Sequence, residues 1–448
     1  MFTVGSFGFI LFAALLAGLW RVTPQPRRWQ LMLAASLVFY LSLDWQGCLL
    51  LCLMTLLVWQ AALHLRGSPR WFYVGLAGAL APLTLLRLRP AALLLGQAFS
   101  LRIWDVSVPQ VLGIGYFSLQ LTSYLVDVRR GKQKPESQYA RLICFASFFL
   151  SITQGPFNRY DELMPQLDAA APQPGQWQRG AQRCFWGYFK KLTVADRAAL
   201  AVNAAFAAPS AYDRSQLFLC AVLYVFQLYA DFSGYTDMAI GGAMMFGYKL
   251  SPNFNRPFVA KTITDFWRRW HMSLSFWVRD YLYQPIAASK RYWGQWGIIY
   301  ALVVTFIILG IWHGAGWNYV IYGLIQGLVI SYEMLTVAYR NKVENRVGKS
   351  VFGVYSILRT YLLFAFSLLF FRISSLPEVG YMIRNLSFHV NSSFKELRLG
   401  MSDHECIVAG IAVVMLFVYE YFMSKKDLIK ELGQCRKVVR WSIYYLFV

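Results

Sequence analysis

The chain has 448 residues, 57% of them hydrophobic and 15% charged, where an average soluble protein carries about 25% charged residues. The apolar sequence runs in long unbroken stretches, which excludes the short alternating strands of a β-barrel and points to helices in lipid, whose backbones satisfy their own hydrogen bonds. The formal charge of +21 falls mostly between those stretches; it serves orientation and headgroup contact, and nucleic acid is not an expected partner.

In chain order, apolar runs lie near 4–20, 30–46, 47–64, 71–87, 109–126, 140–153, 184–206, 215–230, 293–312, 317–335, 351–371 and 406–423, with a weaker patch at 90–100. A bilayer takes about twenty residues, so the shorter runs read as re-entrant or interfacial, and roughly eleven to thirteen membrane helices are expected. The first run lacks the basic flank and cleavage site of a signal peptide and reads as a first span. Cys48 and Cys52 lie four apart with no matching His or Cys pair, so neither a metal site nor a disulfide framework is expected. Basic residues follow alternate runs, among them Arg27, Arg66, Arg129, Lys132, Lys134, Arg340, Lys425, Lys426 and Lys430. Placing them all in the cytoplasm is self-consistent and turns the loop 373–405, with His389 and His404, outward. The sidedness of 140–290 stays open. With no repeat and no soluble segment of domain size, 1–448 reads as a single membrane domain.

Residues 253–290 break the pattern. Arg256, Lys261, Arg268, Arg269, Arg279 and Lys290 meet only Asp265 and Asp280, a charge load that a lipid-facing span does not tolerate. Read as one helix from Thr264 to Tyr283, capped by Thr262 or Thr264, the segment puts Trp267, Trp270, Leu274, Trp277, Val278 and Tyr281 on one face. Arg268, Ser275 and Arg279 share another, and His271 falls on the edge between them. Such a helix suits the lining of a polar cavity; an interfacial anchor explains the pattern as well.

Further on, IWHGAGWN (311–318) interrupts two apolar runs. His313 is thus near membrane depth, beside glycines that weaken helix continuity. An ionisable residue there marks a functional site, or is a helix-break histidine satisfied by a carbonyl. Its near-neutral pKa suits it to take a proton from a hydroxyl attacking an acyl carbonyl. No G-x-S-x-G elbow, H-E-x-x-H or phosphate loop is present. Asp231 and Asp237, in QLYADFSGYTD, need partners in so apolar a stretch; Arg268, Arg269 and Arg279 are the expected ones. Lys190 and Lys191 read as a span end at the headgroups, or as contacts to a phosphate-bearing acyl carrier.

Six stretches in this order resemble the membrane-bound O-acyltransferase family: GIGYFSLQLTSYLVDVRRG (113–131), QGPFNRYDEL (154–163), GYFKKLTVADR (187–197), YADFSGYTDMAIG (229–241), NFNRPFVAKTITDFWRRWHMSLSFWVRDYLYQP (253–285) and IWHGAGWNYVIYG (311–323). FFRISSLPE (370–378) adds a weaker match. The likeness is to the bacterial branch of alginate O-acetylation and teichoic-acid D-alanyl transfer proteins. It implies an all-α integral membrane fold, a ring of tilted transmembrane and re-entrant helices around a central tunnel. It implies acyl transfer to a hydroxyl from a thioester, acetyl-coenzyme A or an acyl carrier protein on the cytoplasmic face, with no permanently bound cofactor. His313 matches the family's invariant histidine and His271 its second. His313 is the expected general base; His271, Ser275 and Asn318 would position or polarise the acyl carbonyl, and Trp312, Trp267, Arg268, Asp231 and Gln154 would line the tunnel. The expected setting is the cytoplasmic membrane, with an acetyl group passed toward an extracytoplasmic glycan or cell-wall polymer and an exported esterase-like partner completing transfer. D-alanylation of teichoic acid is the alternative. A transporter or flippase is the reading from another class; transporters often show inverted repeats, and none is found.

Overall fold

The computed structural model describes residues 7–98, 111–169, 172–387, 402–423 and 435–446. Every regular element among them is helical: α1 (Phe7–Val22), α2 (Arg28–Leu43), α3 (Trp45–His64), α4 (Arg70–Ala98), α5 (Ile114–Arg129), α6 (Tyr139–Ser147), α7 (Tyr160–Ala169), α8 (Gln176–Phe189), α9 (Asp196–Ala207), α10 (Arg214–Met245), α11 (Ile263–Trp267), α12 (Met272–Val278), α13 (Gln284–Ser289), α14 (Gln295–His313), α15 (Trp317–Leu335), α16 (Val337–Val347), α17 (Lys349–Arg372), α18 (Leu376–Asn385), α19 (Asp403–Met423) and α20 (Lys437–Leu446).

Six of these are long and apolar enough to cross a membrane, namely α3, α4 over Arg70–Arg89, α10, α14, α17 and α19 over Asp403–Phe422. The pair α15 and α16, bent by 66°, makes a seventh if it is one broken span. The chain is a multi-pass membrane protein. Some apolar runs fold into shorter pieces than their length suggested. Run 140–153 yields only the nine-residue α6 before turns, and run 184–206 is cut by a π-helical turn at Lys190–Ala195. Conversely, runs 71–87 and 90–100 join in α4. His389, Lys425, Lys426 and Lys430 lie outside the described residues. Only 17% of the α4 span and 11% of the α19 span is buried, so α4 presents leucine and valine outward and α19 isoleucine and valine, a surface that lipid tails solvate as well as protein does.

The chain forms two compact units, residues 1–181 with 239–252, and residues 182–238 with 253–448. In the first, Phe39, Tyr40, Tyr124, Phe145, Phe148 and Tyr248 are fully buried. Asp44 ends α2 and caps α3 by accepting from Gly47 N at 2.7 Å. Glu136 accepts from Tyr160 and from Arg141 at 3.3 Å, and Arg141 also pairs with Asp168 at 2.7 Å.

In the second unit, α14 and α15 form a tight hairpin. A Cβ at Gly310 would overlap the Tyr319 carbonyl, and one at Gly323 the Phe306 carbonyl. Small residues thus let the two backbones touch, as close helix packing in lipid requires. The hairpin turn holds Gly316 at φ 144, a conformation that only glycine adopts without strain. Gln326 on α15 donates to Ser367 on α17 at 2.8 Å, which ties the hairpin to the next span.

Candidate active site

Both sequence-predicted histidines belong to the second unit. His313 is the last residue of α14, where Gly314 turns extended and ends the helix. Its ring is half-buried and edge-on to aromatic neighbours, with Trp312 at 4.7 Å and Phe371 at 5.1 Å between centroids.

His271 is held differently, and one helix from Thr264 to Tyr283 does not form. Thr262 does cap the start, accepting from Asp265 N at 3.0 Å. The helix then stops at Trp267, His271 adopts the left-handed conformation (φ 45), α12 restarts at Met272, and a π-helical turn follows at Arg279–Tyr283. That backbone costs a non-glycine residue about 1–2 kcal/mol. The compensation lies in Asn253 and Asn255. Asn255 N donates to the Arg269 carbonyl at 2.9 Å, and Met272 N to the Asn253 carbonyl at 2.8 Å. The tryptophan face survives the break: Trp267, Trp270, Leu274, Trp277, Val278 and Tyr281 are all buried.

The Asn253 side chain fixes the state of the imidazole. Its Oδ1 receives Ser273 N at 3.2 Å, Ser273 Oγ at 2.9 Å and His271 Nδ1 at 3.0 Å. A backbone N–H can only donate, so the atom it meets is the amide oxygen. The Nδ1 facing that same oxygen therefore carries the proton, and Nε2 is the acceptor nitrogen of the neutral ring. The Asn253 amide nitrogen donates to Thr236 Oγ1 at 3.4 Å. Phe232 closes one side of His271, edge-on at 4.6 Å. Burial, and next the charge of His313, hold His271 well below the ordinary histidine range.

Two buried polar systems support this seam. Glu333 on α15 accepts from Ile263 N at 3.0 Å, from Thr264 N at 3.3 Å and from Arg359 at 2.9 Å. Trp267 Nε1 donates to Gln326 Oε1 at 3.0 Å. Along α10, the aspartates find lysines rather than the expected arginines. Asp237 pairs with Lys190 at 2.5 Å and Arg183 at 2.9 Å, and Asp231 with Lys191 at 2.7 Å. Arg269 and Arg279 turn to Asp265 and Asp280 instead. Lys190 is buried, which corrects its reading as a headgroup lysine. A buried lysine needs such partners, because desolvation alone would discharge it.

A model of the membrane-bound O-acyltransferase family matches residues 75–375. The "Probable alginate O-acetylase AlgI" of Pseudomonas putida is 30% identical over 339 residues, covering 72% of this chain and 68% of the relative. The "Peptidoglycan O-acetyltransferase" of Helicobacter pylori is 35% identical over 248 residues, or 49% of this chain and 46% of the relative. The "Teichoic acid D-alanyltransferase" of Bacillus subtilis is 31% identical over 238 residues, or 49% and 58%. The chain belongs to the membrane-bound O-acyltransferase family. It is accordingly an O-acyltransferase.

For an O-acyltransferase site, the other expected residues divide. Trp312 packs on His313, and Trp267 is tied to Gln326 beside the seam. Ser275 gives its hydroxyl to the Trp270 carbonyl at 3.3 Å. Asn318 spends both amide hydrogens on the carbonyls of Phe370 (3.1 Å) and Ile373 (3.0 Å), so it anchors α15 to the end of α17 and has no donor left for an acyl carbonyl. Arg268 is exposed, and Asp231 is committed to Lys191. Gln154 belongs to the first unit. Sequence reasoning missed Asn253, Ser273 and Glu333. Only Glu333 carried a signal, as a lone acid inside an apolar run.

Proposed function

We propose that His313 is the general base that takes the proton of an acceptor hydroxyl as its oxygen attacks the carbonyl of an acyl thioester. The C–O bond forms, the C–S bond breaks, and the departing thiolate receives the proton from the His313 imidazolium. His271, neutral and with Nε2 as acceptor, orients the hydroxyl or the His313 imidazolium through a hydrogen bond. What supports this reading is geometric: His271 is buried with its Nδ1–H on Asn253 Oδ1, and His313 ends α14 half-buried where Gly314 breaks the helix. General-base assistance of this kind accounts for about 10²–10⁴-fold in rate.

The acyl group is acetyl and the acceptor an extracytoplasmic glycan or cell-wall polymer, since two of the three relatives described are O-acetyl transfer proteins by name. The donor is a cytoplasmic thioester, acetyl-coenzyme A or an acyl carrier protein, and an exported esterase-like partner completes delivery. D-alanyl transfer is the second reading, favoured by the teichoic-acid relative. Purified protein in lipid, given labelled acetyl-coenzyme A or an alanyl-loaded carrier, separates the two. Label from the first alone supports acetylation; label from the second alone overturns it. His313→Ala, inserted like the wild type, should transfer neither group.

A further inference from the structure

A cavity of about 780 Å³ opens in the first unit, far in sequence from both histidines. The α3–α4 connection lines it with Leu65, Arg66 and Pro69, and the end of α5 and the loop after it with Val128, Arg129 and residues 131–135. Four cations face it, Arg66, Arg129, Lys132 and Lys134, and no carboxylate is among the lining residues. Lys132 is already neutralised by Asp161 at 2.7 Å and Asp127 at 3.4 Å. Arg129 lies over the Phe72 ring at 4.4 Å, a contact that leaves its charge uncompensated. Arg66 and Lys134 are exposed and have no acidic partner among the described residues.

The local backbone removes what would repel an anion. The last carbonyls of α3 and α5 are capped from within, His64 O by Gly67 N (3.0 Å) and Val128 O by Gly131 N (3.1 Å). The N-terminal end of α4 adds its positive pole beside Pro69. A second observation points to a ligand. The Gln133 Nε2, on a lining residue, is buried with no hydrogen-bond partner, and a buried donor left unmade costs about 1–3 kcal/mol. An oxyanion in the cavity would accept from it.

We propose that this cavity binds a phosphodiester, that of an anionic phospholipid headgroup. The lipid source follows from position. The cavity lies where the spanning helices α3 and α4 meet. The first turn of α4, directly after the lining residue Pro69, carries the exposed aromatic residues Trp71 and Tyr73, and such rings sit at headgroup level. Arg66, Arg129 and Lys134 hold the phosphate oxygens and Gln133 donates to one of them.

The test is the thermal stability of the full chain in micelles doped with phosphatidylglycerol, with phosphatidylcholine, or with inorganic phosphate, at constant ionic strength. Phosphatidylglycerol should stabilise the wild type and phosphatidylcholine should not. In Arg66→Gln/Lys134→Gln the apparent affinity for phosphatidylglycerol should fall roughly 30-fold, at about 1 kcal/mol per basic residue near an anionic surface. Lys342→Gln/Arg346→Gln, which removes equal charge from exposed positions on α16, should respond like the wild type. Equal responses to the two lipids, or an equal loss in both double variants, overturn the proposal. Full reproduction of the effect by inorganic phosphate would overturn the lipid and assign the cavity to a soluble phosphoester.

Discussion

His313 stands at the end of a regular spanning helix, whereas His271 stands in a break between two helices too short to span anything. The first is placed by backbone geometry: α14 ends because Gly314 and Gly316 end it, and the ring is left half-buried among aromatic faces. The second is placed by side chains: Asn253 and Ser273 fix its tautomer while the buried tryptophans of α11 and α12 hold the strained backbone. A polar cradle fixes one tautomer, and burial keeps that ring neutral. The contrast is what supports the proposed division, with proton transfer at His313 and orientation at His271.

The contrast breaks most readily at His313. His313→Ala should lower kcat/KM about 10²–10⁴-fold, the range for a lost general base, with membrane insertion and melting temperature unchanged. Activity within tenfold of wild type would move the base elsewhere.

The next effect is on stability. Glu333 joins the start of α11, Arg359 and α15 in one buried cluster. Glu333→Ala strands Arg359 and should cost about 3–5 kcal/mol, the usual penalty for unpairing a buried ion pair. Thermal unfolding in detergent measures it. A loss below about 1 kcal/mol, the scale of a surface pair, would mean that the α11 start is held by its tryptophans alone.

Asn253 tests the tautomer argument. Asn253→Ala should lower kcat/KM about 10–100-fold, equivalent to about 1.4–2.7 kcal/mol. Asn253→Asp keeps an acceptor for Nδ1–H and adds a negative charge, so it should restore part of the rate and raise the His271 pKa. The wild-type ring is held well below the ordinary range and stays neutral as the pH falls into it. In the aspartate variant the ring gains its proton at a higher pH, so the acid limb of the kcat/KM profile should move upward. An unmoved limb would sink the assignment of His271 as a neutral acceptor.

These features were unequally legible in the sequence. Spanning runs survive because lipid demands unbroken apolar helix, and His313 stood out as an ionisable group interrupting one. The family resemblance supplied the reaction. The break at His271 was hidden because its tryptophan spacing is helical on both sides, so the pattern reads straight through the kink. What makes the kink is Asn253, eighteen residues earlier and paired only in the fold. The partners of Asp231 and Asp237 were misjudged for the same reason. Arginines near in sequence looked available, but α8 runs close along α10, where a Cβ at Gly187 would overlap the Gly234 carbonyl region, and that approach delivers Lys190.

The smallest effect belongs to the charged side of the broken segment. Asp265 and Arg269 pair at 3.0 Å with 35% and 29% of their side chains exposed. An exposed pair one helical turn apart is worth about 0.3–0.5 kcal/mol. The strand-like pairing that supports His271 uses the Arg269 carbonyl, which the substitution leaves in place. Asp265→Asn should therefore shift stability by less than about 1 kcal/mol and leave the acid limb of the rate profile where it was. If it instead moved that limb as Asn253→Asp is expected to, the ionic face and not the amide cradle would set the state of His271, and the division of labour between the two histidines would have to be redrawn around Arg269.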